Sequence, residues 1–206
     1  RLCIGNGYFE MYNRDNVTLV DARSSPITAF TESGLRTSDA DYELDIIVAA
    51  TGFDAVTGAM ARIDIEGVGQ RKLSRKWEEG PATYLGAMVS GFPNLFMIHG
   101  PTTPSAQAQM ITTGEWQVNW TADIIENMER ESLTRIDATE EAEEQWAQEV
   151  EAASEHTLHR FAASWYNASN IEGKKGGFMI YVGGFPRYAE LCEHAVAEGY
   201  KGFVRS

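Results

Sequence analysis

The sequence predicts an α/β protein, and three observations carry that reading. Short runs of alternating apolar residues fill the first fifty positions. Two almost wholly apolar runs, residues 44–50 (LDIIVAA) and 95–98 (LFMI), end abruptly in Thr-Gly-Phe and His-Gly-Pro. From residue 105 onward apolar residues recur at spacings of three and four, the period of a half-buried helix.

Taken in order, residues 15–55 read as β structure. NVTLVDA (16–22) turns Val17 and Leu19 inward, SSPITAF (24–30) follows a Ser-Pro turn, and ESG and SDAD supply further turns. Residues 44–50 read as a strand covered on both faces, because a one-sided strand would alternate with polar residues. The stretch ARIDIEGVGQRKLSRKW (61–77) is mixed and loop-like, and residues 95–98 read as a second buried strand. Met110, Gly114, Val118, Ala122, Ile125 and Met128 then mark one face of a helix. Asp137, three residues before Glu140, reads as the N-cap of the next helix, whose repeat runs through Trp146, Val150, Ala153, Leu158, Phe161 and Trp165. NASNIEGKKGG (167–177) reads as a loop, FMIYVGG (178–184) as a strand or turn, and YAELCEHAVAEGY (188–200) as a closing helix.

Composition narrows the function classes. With 206 residues and 43% hydrophobic content, the chain is long enough to bury a sizeable core. Its 30 acidic against 17 basic residues give a formal charge of −13, which repels a phosphate backbone, so no nucleic-acid partner is expected. Cys3 and Cys192 do not make a disulfide framework. No run approaches the ~18 apolar residues of a membrane span, so no membrane partner is expected. The start lacks a signal-peptide apolar region and an initiating Met, which leads us to expect a cytoplasmic protein represented by a fragment. The sequons at Asn16, Asn119 and Asn167 then read as chance matches.

Gly5-Asn6-Gly7 and Gly67-Val68-Gly69 lack the third glycine of a dinucleotide fingerprint, and neither is expected to follow a strand and open a helix. Both read as turns. His156 and His159 beside Glu155 lack further ligands at metal-binding spacing, so no metal is expected. The acidic run from Glu140 to Glu155 reads as a solvated face. The ends of the two apolar runs remain as candidate ligand edges, since ligands in open α/β sheets lie at the carboxyl ends of strands.

The stretches RLCIGNGYFEMYNRDNVTLVD, YELDIIVAATGFDAVTGAMARIDIEGVG, TYLGAMVSGFPNLFMIHGPTTPSA, SWYNASNIEGKKGGFMIYVGGFPRY and AVAEGYKGFV span nearly the whole chain. In this order they resemble the C-terminal part of the Baeyer–Villiger monooxygenases. The resemblance implies an α/β flavoprotein with two dinucleotide-binding domains, for FAD and NADP, each visited twice by the chain. Residues 1–53 would be the returning segment of the NADP domain and residues 54–206 that of the FAD domain. Both glycine fingerprints, and the family's Phe-x-Gly-x-x-x-His-x-x-x-Trp motif, would lie upstream of Arg1. The implied partners are FAD, NADP(H), O2 and a ketone, which gains one oxygen atom beside its carbonyl to give an ester or lactone. The missing N-terminal portion would complete both nucleotide sites.

The resemblance also implies site residues. Arg1 falls on the family's active-site arginine, a cation that keeps its proton and can bond two oxygens of an anion formed beside the flavin. Thr51, Gly52 and Phe53 fall at the hinge between the domains, beside the cofactors. Trp165 falls on the mobile-loop tryptophan that contacts the nicotinamide cofactor, with Asn170 and Lys174 as further contacts. Ser105, Ala106, Gln107 and Met110 match the loop lining the substrate pocket beside the flavin. Departures occur too: Ala168, Ser169 and Glu172 replace Gly, Ala and Pro, Gln109 stands where Asn is frequent, and Gly114 where Ile is frequent and would leave space. Two other readings stay open at this point: a related flavin monooxygenase that oxygenates nitrogen or sulfur, and a stand-alone module without catalysis.

Overall fold

The computed structural model describes residues 5–104, 108–161, 164–168, 173 and 177–206, with the Arg160 side chain excepted. The chain divides into two compact units, Arg1–Gly52 and Phe53–Ser206.

The first unit is built on an antiparallel meander of β1 (Ile27–Thr31), β2 (Gly34–Thr37) and β3 (Asp41–Glu43). Its register is pinned by the pairs Phe30–Leu35 and Leu35–Tyr42, with an irregularity between Ile27 and Ala29. Gly34 opens β2 because a Cβ there would collide with the Tyr42 carbonyl. The β2–β3 turn closes on Thr37, whose buried hydroxyl accepts from the Ala40 and Asp39 amides and from the Ser25 hydroxyl at 2.8 Å. Across the strands Arg36 forks onto both oxygens of Asp41, holding that carboxyl below its usual range.

Two expectations for this unit fail. NVTLVDA forms no strand, and residues 44–50 form neither a strand nor a buried segment. The last ladder bond runs from the Leu44 N–H to the Ser33 carbonyl at 2.9 Å. Beyond it no described strand lies alongside, so the backbone has no ladder to join. Ile46 and Val48 are each 80% exposed.

The second unit begins with the short helices α1 (Gly58–Ala61) and α2 (Leu73–Lys76), separated by a 3-10 turn at Val68–Gln70. Then come α3 (Met110–Arg130), β4 (Ile136–Ala138), α4 (Glu140–Ser154), 3-10 turns at Leu158–Phe161 and Trp165–Asn167, α5 (Phe185–Ala197) and β5 (Phe203–Arg205). β4 and β5 pair antiparallel, with Asp137 opposite Val204. The main core joins Trp120, Ile124, Trp146, Val150, Tyr181, Tyr188 and Cys192, so α3, α4, α5 and residues 178–182 share one interior. A smaller core gathers Leu73, Trp77, Val89, Phe92 and Met97.

The helices form where their period predicts, with three corrections. α3 buries Gly114, Gln117, Trp120, Ile124 and Met128, whereas Met110, Val118 and Ile125 are exposed. The helix is apolar on more than one face, and periodicity alone does not choose between faces. α4 is capped by Thr139, whose hydroxyl accepts from the Ala142 N–H at 3.1 Å, and not by Asp137. Asp137 lies in β4, nearly buried, and accepts from the Gly91 N–H at 3.0 Å. The apolar repeat of α4 stops at Ser154, leaving Leu158 and Phe161 exposed.

Residues 95–98 are not a strand either. They run between two left-handed residues, Asn94 (φ 60°) and His99 (φ 56°), and contribute the bond from the Met97 N–H to the Ala87 carbonyl. Asn94 is the reason for the first bend: its side chain donates to the Thr134 carbonyl and accepts from the Ile136 N–H, clasping the edge of β4. Residues 178–184 are likewise irregular, in agreement with the turn half of that expectation.

A buried ion pair fastens α2 to α4. Lys76 Nζ lies 2.8 Å from Glu143 Oε2, with side-chain exposures of 12% and 5%. The pair is fully bonded: Lys76 also donates to the Ser90 carbonyl, and Glu143 accepts from the Ser90 N–H at 2.7 Å. Burial raises the Glu143 carboxyl above its ordinary 4.5, and the bond to Lys76 opposes that rise. Lys76→Met strands this carboxylate and is expected to destabilise the unit by about 3–5 kcal/mol near pH 7. An acid with a raised folded pKa holds its proton more readily folded than unfolded, so its contribution falls as pH rises through that window. The Lys76→Met penalty should therefore shrink as pH is lowered toward 4.5. Urea unfolding of both proteins from pH 5 to 8 checks this, and a pH-independent difference would refute it.

Candidate functional site

The described features that point toward a ligand gather at the start of α3 and the His-Gly-Pro turn before it. α3 begins after Gln109, whose side-chain oxygen accepts from the Thr112 N–H at 3.0 Å. The residue that departs from the family's frequent Asn therefore still caps the helix. No acidic residue stands in the first turn, so the positive end of this 21-residue helix is not neutralised by its own side chains. Met110 and Ile111 are 48% and 78% exposed there.

His99 is tied to α3 at two points. Its N–H donates to Gln117 Oε1 at 2.8 Å, and its ring Nε2 lies 2.8 Å from the Met110 carbonyl. A carbonyl only accepts, so Nε2 carries a proton. Nδ1 is buried and has no hydrogen-bond partner among the described residues. Gln117 is itself buried and donates from Nε2 to the Tyr188 hydroxyl at 2.8 Å, which donates to the Leu85 carbonyl at 2.7 Å. Burial holds the Tyr188 phenol well above its ordinary value, so it stays a neutral donor. Beside this chain, burial pushes the Cys192 thiol up to about 12, which makes it an unreactive core residue.

Gly114 does not open a cavity. A Cβ there would stand 2.7 Å from His99 Nε2, so the imidazole already occupies the space that glycine leaves.

The other expected site residues are dispersed. Thr51, Gly52 and Phe53 lie in exposed chain without regular secondary structure, with Gly52 in the left-handed region (φ 88°). Trp165 opens a 3-10 turn capped by Ser164, remains 39% exposed and lies 4.6 Å from the Tyr166 ring. Tyr166 stacks in turn on His159 at 4.8 Å. Ala168, where the resemblance has Gly, ends that turn at φ 58° and is buried. Arg1, Ser105, Ala106, Gln107, Asn170 and Lys174 lie outside the described residues. A cavity of about 450 Å³ lies elsewhere, between Lys76, Glu79, Pro81, Glu143, Ala147 and Phe178, and contains none of the expected residues.

Sequence reasoning read His99 only as part of a strand end and left Gln117 unmentioned. A polar residue at a core-facing helical position, three residues beyond a glycine, was the available signal for Gln117.

Comparison with known proteins gives the family. No family model matches the chain. A Baeyer–Villiger monooxygenase from Pseudooceanicola batsensis is 42% identical over 205 residues, covering 99% of this chain and 37% of that protein. Cyclohexanone 1,2-monooxygenase from an Acinetobacter species is 39% identical over 199 residues, covering 96% and 36%. The crystal structure of cyclohexanone monooxygenase from Rhodococcus sp. Phi1 bound to NADP+ superposes with a TM-score of 0.88 at 38% identity, covering 98% of this chain and 38% of that one. A phenazine N-monooxygenase from Lysobacter antibioticus, 38% identical over 97% of the chain and 37% of its own length, is a relative as well. The chain belongs to the Baeyer–Villiger monooxygenase family and spans about 37% of the length of its curated relatives.

The helix start depends on the buried relay through Gln117. Gln117→Leu leaves the His99 N–H without its acceptor and removes a donor to Tyr188, at about 1–3 kcal/mol for each stranded group. We expect a loss of about 2–4 kcal/mol in urea unfolding; Tyr188→Phe strands the Gln117 Nε2–H and the Leu85 carbonyl instead and should cost a similar amount. Only Gln117→Leu frees the His99 N–H, so exchange of that amide should quicken in Gln117→Leu and not in Tyr188→Phe; equal exchange in the two variants would show that Gln117 does not hold the turn.

Proposed function

We propose that this chain is the C-terminal portion of an FAD- and NADPH-dependent Baeyer–Villiger monooxygenase that inserts one oxygen atom of O2 beside a ketone carbonyl. The observation that carries the reading is similarity along almost the whole chain to enzymes named for that reaction. In this reading residues 1–53 return through the NADP domain and residues 54–206 through the FAD domain, and the longer protein completes both nucleotide sites.

The residues present fit part of a flavin site. An α3 N-terminus without acidic residues in its first turn suits an electron-rich ring edge, and beside it His99 Nδ1 is buried with no partner among the described residues. Neither Gly-x-Gly piece makes a pyrophosphate cradle: Gly7 precedes a single 3-10 turn at Glu10–Asn13, and Gly69 lies inside another at Val68–Gln70. The phosphates would be held by the rest of the protein. When bound, FAD supplies activation of O2 with electrons from NADPH. Arg1 would hold negative charge at the reacting oxygen through its two-pronged guanidinium. Trp165, with Asn170 and Lys174, would hold the nicotinamide coenzyme over the site and keep water out. Ser105, Ala106, Gln107 and Met110 would face the ketone, and Thr51, Gly52 and Phe53 would turn between the domains. Oxygenation of an aromatic ring nitrogen is the competing reading that the name of the phenazine N-monooxygenase relative suggests. Assaying the longer protein with ketones against phenazine separates the two.

Two outcomes test the proposal. The 206-residue chain alone should purify colourless, because its sequence carries no complete dinucleotide glycine fingerprint; stoichiometric flavin absorbance in its visible spectrum would defeat this division of labour. In the longer protein, Trp165→Ala should raise the Kd for NADP(H) about tenfold, ~1.4 kcal/mol, with flavin retained. Flavin loss at unchanged coenzyme affinity would instead make Trp165 a packing residue.

A further inference from the structure

We propose that Tyr166 is a positioning residue for the nicotinamide coenzyme: its ring braces Trp165 and so fixes the orientation in which the indole is presented. The inference rests on the proposed contact between Trp165 and that coenzyme.

The local backbone alone would not bring these two rings together. Trp165–Asn167 is a single 3-10 turn, in which successive side chains point about 120° apart. The Trp165 and Tyr166 rings nevertheless lie 4.6 Å apart, at the close end of the range for aromatic pairs. One side chain has folded back toward the other. Among the described residues Tyr166 is the one ring that the indole meets, and Trp165 stays 39% exposed.

Tyr166, by contrast, is held by side chain and backbone alike. His159 stacks on its ring at 4.8 Å with the planes 5° apart, and the Phe178 ring lies at 6.3 Å. The Tyr166 carbonyl accepts from the Met179 N–H at 2.6 Å, and the Met179 carbonyl accepts from the Thr102 N–H at 2.8 Å. Thr102 Oγ1 accepts in turn from the Trp146 indole of α4 at 2.7 Å. Ala168, at the end of the turn, is buried with Met179 and Ile180 in a cluster that Tyr166 also joins. The brace therefore runs from the interior of the unit to an exposed indole, with Tyr166 as its last fixed point.

This matters for a surface residue that has to meet a ligand. A large side chain loses rotamer freedom when a ligand orders it, and that loss weakens binding. An indole already packed against Tyr166 has given up much of that freedom before the coenzyme arrives. Without the ring, the same tryptophan binds less tightly.

The test uses the longer protein labelled with 5-fluorotryptophan, the Trp165 fluorine signal being assigned by its loss in Trp165→Phe. Tyr166→Leu, Tyr166→Phe, Trp165→Ala and the double variant Tyr166→Leu/Trp165→Ala are compared for that signal, bound flavin and the calorimetric Kd for NADP+. Tyr166→Leu should move the Trp165 signal toward that of free 5-fluorotryptophan and raise the Kd about fivefold. The other tryptophan signals and the flavin content should stay as they are. Tyr166→Phe keeps the ring and should remain within about twofold of the parent. Because the brace acts through Trp165, the double variant should bind no more weakly than Trp165→Ala. An unmoved Trp165 signal, a Tyr166→Phe variant as weak as Tyr166→Leu, or multiplying losses in the double variant would each overturn the proposal. Flavin loss or displacement of every tryptophan signal in Tyr166→Leu would overturn it too, by making Tyr166 a packing residue. If Trp165→Ala leaves the Kd unchanged, the coenzyme contact itself fails, while the fluorine signal still decides whether Tyr166 braces the indole.

Discussion

The second unit depends on one buried polar relay. Gln117 sits in the middle of α3 at a position that an aliphatic residue would normally take, and it links the turn at His99, the hydroxyl of Tyr188 on α5 and the carbonyl of Leu85. A buried amide is costly unless both ends are bonded, so the three elements must meet in one arrangement or not at all. The aromatic cluster around it supplies the area. Trp116 and Trp120 stack near-parallel at 6.3 Å, and Trp146 crosses Tyr188 at 6.0 Å. The relay supplies the register in which those rings meet.

A second set of polar contacts does similar work at the other side of the unit. Ser90 and Gly91 present successive backbone N–H groups to Glu143 and Asp137, so a loop with no ladder partner is held by carboxylates from α4 and β4. Asn94 does the same for the edge of β4. Irregular chain is ordered here by side chains that replace the missing sheet, and this is why an acidic residue read as a cap turns out to be a loop anchor.

Much of the helical architecture was legible because its period is long enough to average over exceptions. The β reading fared less well, and the reason is specific. Residues 44–50 have the composition of a strand buried on both faces, but composition states what a segment requires, not whether neighbours lie beside it. Residues 95–98 are short enough that two left-handed residues at their ends decide the backbone path. At the site, resemblance supplied positions that no local pattern could, whereas His99 and Gly114 became meaningful together only in three dimensions. A glycine read from sequence as vacant space is occupied by a ring fifteen residues earlier in the chain.

The exposed run from Ile46 to Phe53 bears on how such a chain survives in a crowded solution. It has no regular secondary structure, is free of charge and proline, is rich in β-branched residues, and is bounded by Asp45 before it and Asp54 after it. That is the make-up of a segment able to stack in register with copies of itself, with acidic gatekeepers at its borders. Wherever this stretch is left without a cover, its fate is governed by a race between burial and self-association, and the two aspartates set the odds.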